Sequence, residues 1–210
     1  MAATDFFSNF HLLIRWLHVF AGIVWVGHLY FFNFVNLPFQ GSIDDAAKKA
    51  VNAKLILRAL WWFRWGAMIT WVAGLVLFTM NYMYTPGVGF GPSPLWGDET
   101  GLTSRAVWIS LGMTLGTVMW FNVWMIIWPT QRRLFSGLIP AEQVPAARAR
   151  AAFFSKINTF LSGPMLFGML APAHYTQINA LTLLVFVLLG LAPIPLLYKA
   201  SKTAGAPPAP

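Results

Sequence analysis

Long apolar segments dominate this sequence and restrict what it can fold into. A helix needs roughly 20 apolar residues to cross the hydrocarbon core of a bilayer. With 58% hydrophobic and 10% charged residues, the composition also lies outside the usual range of soluble domains. We therefore expect an all-α integral membrane protein, a bundle of five transmembrane helices in one domain that covers residues 1–200. The five segments are 12–35, 61–84, 106–128, 160–173 (extended by the residues before it) and 178–198.

Basic residues are concentrated in alternate connections between these segments. Loops rich in Lys and Arg stay in the cytoplasm, so the alternation predicts an outer N-terminus and a cytoplasmic C-terminus in a bacterial inner membrane. The same rule explains the net charge of +8 without a nucleic-acid partner. The residues are Lys48, Lys49, Lys54 and Arg58 after the first segment, Arg132, Arg133, Arg148, Arg150 and Lys156 after the third, and Lys199 and Lys202 after the fifth.

Two of the basic connections have helical patterns that predict helices projecting on the cytoplasmic side. Ser42 to Asp45 is a capping signal of the S-x-x-D type, and the amphipathic run after it leads into the second segment. Residues 144–158 predict a second such helix, which leads into the fourth segment. The Gly- and Pro-rich residues 85–101 predict an irregular outer loop. The Pro/Ala-rich residues 201–210 predict a disordered tail.

The four histidines carry the strongest functional signal. His11, His18 and His28 lie on the first segment, and His174 lies at the outer end of the fourth. His18 and His28 are about 15 Å apart along the helix axis, too far to share one metal ion. Because the first segment runs inward and the fourth outward, His18 and His174 are the pair whose depths converge. Together with Arg15, one turn further out for a propionate, they meet the needs of a bis-histidine haem b site.

Other interpretations of these polar residues stay open. For His11, a hydrogen bond to a neighbouring helix or a place at the interface is favoured over ligation. His28 can ligate a second haem, face a cavity, or bond to a polar group such as Asn33 or Asn122. Arg64 is expected to snorkel to lipid headgroups. Four deep tryptophans suit ordinary packing, the simpler explanation, or a wall around a flat ligand: Trp25, Trp71, Trp120 and Trp124.

Residue types that are missing exclude several classes of site. The chain has no cysteine, which excludes disulfides, iron–sulfur clusters and covalently attached haem c. No Asp or Glu falls within a predicted span, which argues against a proton relay of carboxylates. The sequence also lacks the motifs of phosphate-binding loops, zinc proteases and serine hydrolases.

Three stretches together form a recognisable pattern: RWLHVFAGIVWVGHLYFFNF, IIWPTQRRLFSG and INTFLSGPMLFGMLAPAHY. They resemble the membrane domain of bacterial cytochrome-c-linked urate oxidases, the urate oxidase N-terminal family. The resemblance implies that Arg15, His18 and His174 belong to the family signature. Full-length members have further spans and a cytochrome c domain, so it also implies a short form. The other matching positions are Trp16, Trp128, Pro129, Gln131, Asn158, Thr159, Pro164, Leu166, Phe167 and Tyr175.

Three functions follow from these observations. The first is an integral-membrane redox protein that holds haem b through His18 and His174 and exchanges electrons with a partner in the periplasm or membrane. The second is a cofactor-free accessory subunit of a larger respiratory or photosynthetic complex. The third, implied by the resemblance, is a urate-oxidase-like enzyme that passes electrons to a separate cytochrome c. The residues favour them in this order, and only the third makes the chain an enzyme.

Overall fold

Five long helices make up most of the protein. The computed structural model describes residues 5–97, 101–175 and 177–205. The expected all-α class is confirmed, and each helix covers most of one predicted apolar segment. Residues 206–210 of the predicted disordered tail lie outside the described residues, and residues 201–205 form turns. The helices are α1 (Phe6–Ser42), α2 (Asp45–Tyr82), α3 (Ser104–Phe135), α4 (Val144–His174) and α5 (Ala180–Ala200).

Among the described residues, four of the helices are long and apolar enough to cross a bilayer: α1, α2, α3 and α5. The chain is therefore a multi-pass membrane protein with four candidate spans. α4 is the fifth long helix, but basic residues occupy its first half and Pro164 and Pro172 lie within its second half. Much of the surface is apolar, which fits contact with lipid; on α5 the exposed side chains include Leu181, Leu184, Leu188 and Leu189.

Three π-helical turns interrupt the regular spacing of these helices. They are Phe31–Asn36 in α1, Asn52–Ile56 in α2 and Asn122–Ile127 in α3. A π-turn adds one residue to the turn and so changes which side chains face the interior. Two asparagines in these turns, Asn33 and Asn122, are buried. The π-turns thus bring amide groups into the core.

The helices predicted for the two basic connections are confirmed, with one change at a cap, and their projection on the cytoplasmic side stays a prediction. Both α2 and α4 run from a basic connection into the bundle as one helix, which in α2 includes the π-turn. The N-cap of α2 is Asp44, whose side chain accepts the backbone N–H of Ala47 at 2.8 Å. Ser42 was expected to cap this helix, but it ends α1 and its hydroxyl donates to the carbonyl of Phe39. A short 3-10 turn, Ala141–Gln143, precedes α4.

The loop between α2 and α3, predicted to be irregular, contains short regular elements in its described residues. Two short antiparallel strand pairs flank a 3-10 turn in this loop. Gly87, Gly89 and Gly101 have positive φ angles, which glycine adopts without steric cost and which let the chain reverse within a few residues. The pairs are β1 (Tyr84–Thr85) with β2 (Gly89–Phe90) and β3 (Trp96–Gly97) with β4 (Gly101–Leu102), around Ser93–Leu95.

Glycines allow close backbone contact within two groups of helices. A Cβ atom at Gly66 of α2 would lie 3.0 Å from the backbone nitrogen of Trp25 in α1. A Cβ atom at Gly112 of α3 would lie 2.9 Å from the carbonyl carbon of Gly168 in α4, so α3 and α4 are in close contact there. The apolar core joins the two groups; it includes Trp25, Leu29, Leu60, Phe63, Met119, Val123 and Ile127.

Candidate functional site

The most deeply buried polar groups form a network between α3 and α4. Asn158 has no exposed surface. Its Oδ1 accepts a hydrogen bond from Asn122 Nδ2 at 2.8 Å, and its Nδ2 donates to the carbonyl of Met119 at 2.9 Å. Thr159 and Ser162 beside it are equally buried and donate to carbonyls of their own helix. The sequence placed Asn158 and Thr159 in a motif without showing that they form part of the core.

A second polar group joins α1 to α4 and α5. Asn33 Nδ2 donates to Ser155 Oγ at 2.8 Å and to the carbonyl of Leu29 at 2.9 Å. Its Oδ1 accepts a hydrogen bond from the Tyr198 hydroxyl at 2.8 Å. Ser155 and Tyr198 were not singled out from the sequence, because each forms its hydrogen bond with a residue 122 or more positions away. These contacts satisfy the amide of Asn33, so it fixes three helices relative to one another.

His18 is held in one orientation against α2. Its Nδ1 lies 2.8 Å from the backbone carbonyl oxygen of Thr70. A carbonyl can only accept, so Nδ1 carries the proton and Nε2 carries the lone pair of the neutral ring. A Cβ atom at Gly74 would lie 3.0 Å from His18 Cε1, so glycine is what allows the ring to sit there. An imidazole with its Nδ1 proton bonded to a carbonyl is typical of metal-ligating histidines.

His174 lies at the exposed C-terminal end of α4. The hydroxyl groups of Tyr30 and Ser162, 2.9 Å apart, set the register between α1 and α4. His18 precedes Tyr30 by twelve positions and His174 follows Ser162 by twelve, so both lie about 18 Å from this contact along their helices. The two histidines therefore belong to the same end of the bundle. In the part of the chain that is described, a hydrogen bond orients His18 and none orients His174.

His11 links α1 to α2 through a hydrogen bond. Its Nε2 lies 3.1 Å from Asn81 Oδ1, and Asn81 Nδ2 donates to the carbonyl of Leu77, which fixes the amide orientation. His11 Nε2 is therefore the donor and carries a proton. Arg15 Nη2 lies 3.4 Å from the same nitrogen, but it cannot donate to a protonated atom. The favoured interpretation of His11, a bond to a neighbouring helix, is confirmed, and Arg15 lies exposed beside it.

His28 bonds within its own helix. Its Nδ1 donates to the carbonyl of Val24 at 2.7 Å, one turn earlier. Of the alternatives left open for His28, hydrogen bonding to a polar group is the one seen, but the partner is this backbone carbonyl and not Asn33 or Asn122, whose Nδ2 groups donate elsewhere. The backbone carbonyl one turn back is within reach of the ring without any tertiary contact. A second haem or a cavity at His28 stays a prediction.

The deep tryptophans pack against one another and against Arg64. Trp71 and Trp120 are stacked with ring centroids 4.5 Å apart, and Trp25 is in the core. The Arg64 guanidinium lies 4.0 Å from the ring centroid of Trp128 and 4.8 Å from that of Trp124. These contacts are those of ordinary packing, and a wall around a flat ligand stays a prediction. Arg64 was expected to snorkel to lipid headgroups. The stacking of its planar guanidinium on indole rings was not predicted.

The basic connections meet around a large cavity at one end of the bundle. The cavity has a volume of about 1310 Å³ and is lined by α1, α2, α3, α4 and Tyr198 of α5. Lys48, Lys49, Arg148 and Lys156 contribute to its lining. The alternation of basic residues along the sequence therefore corresponds to one basic end in space. The membrane face on which this end lies stays a prediction.

Comparison with known families supports the resemblance seen in the sequence. The model of the urate oxidase N-terminal family matches residues 93–201, slightly more than half of the 210 residues. The matched region includes His174 and Asn158, whereas Arg15 and His18 lie before it. No curated protein and no solved structure matches this chain. Among the described residues no group of three or more His, Asp or Glu is placed to hold a metal ion.

Proposed function

The chain belongs to the urate oxidase N-terminal family, and we propose that it is an integral-membrane redox protein that binds haem b. In this proposal His18 and His174 would hold the haem iron, and Arg15 would pair with a propionate. Haem b, when bound, supplies a one-electron couple that the side chains of the protein lack. Electrons pass to or from a partner in the periplasm or the membrane.

The orientation of His18 is the observation that carries the proposal. The Thr70 carbonyl holds the ring through Nδ1 at 2.8 Å and leaves Nε2 as the ligating atom. The glycine at position 74 gives the ring space that any side chain would occupy. The register from Tyr30 and Ser162 supports a second ligand, His174, at a similar depth. An iron porphyrin held by these residues would lie near the end of the bundle opposite the basic one.

A reduced-minus-oxidised spectrum of the purified full chain tests this proposal. Protein from haem-replete cells should show the α-band of a low-spin haem b, and His18→Ala and His174→Ala should each remove or shift it. His11→Ala is the matched control, because His11 lies on the same helix but bonds to Asn81. Circular dichroism of each variant separates loss of haem from loss of fold. A colourless wild-type preparation, or an unchanged band in His18→Ala, contradicts the proposal.

Gly74→Ala provides a test that leaves both histidines in place. The new methyl group would lie 3.0 Å from His18 Cε1, so the ring must rotate or move away from the Thr70 carbonyl. We expect a weakened or shifted α-band, with the helical content of wild type. A haem spectrum identical to that of wild type would contradict the role given to this orientation.

The family match favours a second candidate, an enzyme similar to urate oxidase that reduces a separate cytochrome c. Membranes containing this chain should then reduce added cytochrome c when urate is supplied, and membranes without it should not. No urate-dependent reduction by a preparation that carries haem would contradict this candidate and leave the redox protein. If the chain is instead a cofactor-free accessory subunit, the wild-type protein should have no haem spectrum, and histidine variants should disturb co-purification with larger subunits.

A further inference from the structure

The cavity at the basic end has two chemically different parts. Its deep walls include Leu60, Phe63 and Ile127, which are almost completely buried. Lys49, Arg148 and Lys156 also line it, and all three are exposed, so their charges lie at the rim. The volume of about 1310 Å³ exceeds the roughly 300–1,000 Å³ of pockets for drug-sized ligands. An apolar interior under a cationic rim suits a large amphiphile.

The charge at the rim is not balanced by the described residues of the protein. Lys48 forms a salt bridge with Asp45, at 3.1 Å between Nζ and Oδ1. Across residues 5–97, 101–175 and 177–205, none of the other three rim cations forms an ion pair with a carboxylate. Lys156 lies 5.7 Å from the ring centroid of Tyr198, a contact that leaves its ammonium charge uncompensated. Three cations around one opening favour an anion.

Four of the five amide side chains that line the cavity are bonded to one another or to the protein; among the described residues Gln131 is the exception. Gln40 and Asn52 exchange hydrogen bonds of 2.9 and 3.2 Å between their side chains. Asn33 is bonded to Ser155 and Tyr198. The interior therefore offers a hydrophilic solute little to bind, whereas hydrocarbon can fill the space between the apolar walls without losing hydrogen bonds.

From this combination we propose that the cavity binds an anionic phospholipid. The phosphate lies among Lys49, Arg148 and Lys156, and an acyl chain extends along Phe32, Leu134 and Phe135, apolar lining side chains that are only partly buried. Basic pockets between membrane helices bind anionic headgroups by this combination of charge and hydrophobic contact. The site is separate from the proposed haem site at the other end of the bundle. The lipid proposal can therefore be tested independently of the redox function.

Thermal unfolding of the purified full chain in a neutral detergent tests the proposal. The unfolding midpoint is measured by circular dichroism against graded dioleoylphosphatidylglycerol, dioleoylphosphatidylcholine and inorganic phosphate. We expect phosphatidylglycerol to raise the midpoint at concentrations where the neutral lipid and phosphate have little effect. The triple variant Lys49→Gln/Arg148→Gln/Lys156→Gln should need about tenfold more phosphatidylglycerol, or more, for the same shift.

Two further variants make the result specific to the cavity. Arg132→Gln/Arg133→Gln/Arg150→Gln removes the same number of charges from the same end without changing the lining, and it should respond like wild type. Ala152→Trp keeps every charge but places an indole in the cavity, and it should weaken the response. Equal losses in the two triple variants, or an unaffected Ala152→Trp, would reduce the effect to surface charge and overturn the proposal. An equal response to inorganic phosphate would identify a soluble anion and also overturn it.

Discussion

The buried amide pair Asn122 and Asn158 yields a quantitative prediction about stability. Asn158→Leu keeps a similar side-chain volume but removes the acceptor of Asn122 Nδ2. The Met119 carbonyl also loses a donor but keeps the backbone N–H of Asn122, so the main cost is one buried amide without an acceptor. Such a group costs about 1–3 kcal/mol, more than the roughly 0.6 kcal/mol of an average hydrogen bond in a membrane protein. We expect a free energy of unfolding lower by about 1–3 kcal/mol.

Unfolding with increasing mole fractions of sodium dodecyl sulfate in mixed micelles, followed by circular dichroism, measures this change. Asn122→Leu and the double variant complete a double-mutant cycle. The double variant has no unpaired amide, so its loss should be smaller than the sum of the single losses by about 1 kcal/mol. Single losses that add within about 0.5 kcal/mol would refute the inference that these two amides satisfy each other.

Two other predictions use the same unfolding measurement. A Cβ atom in Gly168→Ala would lie 2.5 Å from the backbone nitrogen of Gly112, so α3 and α4 must separate and we expect a loss of about 1–3 kcal/mol. Gly27→Ala is its control, since nothing lies within 4 Å of its Cβ position, and equal stabilities of the two variants would contradict the close contact. Arg64→Gln removes the cation 4.0 Å from the Trp128 ring and should cost about 0.5–2 kcal/mol, with Arg64→Lys between it and wild type; identical values for all three would contradict the stacking.

The helices could be predicted because the length of an apolar run is a local property. All five long helices were expected, and four are confirmed as long and apolar enough to span a bilayer. α4 is different, since its basic first half and the proline at position 164 lower the apolar character that the prediction assumed. The cap of α2 moved from Ser42 to Asp44 because α1 extends far enough to use Ser42 at its own end.

The sequence predicted which residues belong to the candidate site but not which groups they contact. The depth of each histidine in the predicted bundle selected His18 as a candidate ligand. For His11 a hydrogen bond to a neighbouring helix was favoured, and the contact with Asn81 confirms it. The partner of His18, the Thr70 carbonyl, is a backbone group that no side-chain pattern reveals. Three roles were left open for His28, and none of them named the carbonyl of Val24, a local backbone partner one turn back.

The sequence by itself determined the class of the protein, its long apolar helices and the polar groups that had to find partners within it. The tertiary structure alone decided which partner each group has, as for Asn33 with Ser155 and for Asn122 with Asn158. A membrane offers no water to an unpaired amide, so the sequence shows that a bond is required. Which atoms form that bond depends on how the π-turns rotate each helix and how closely glycines let the helices approach, and both are settled only when the helices pack.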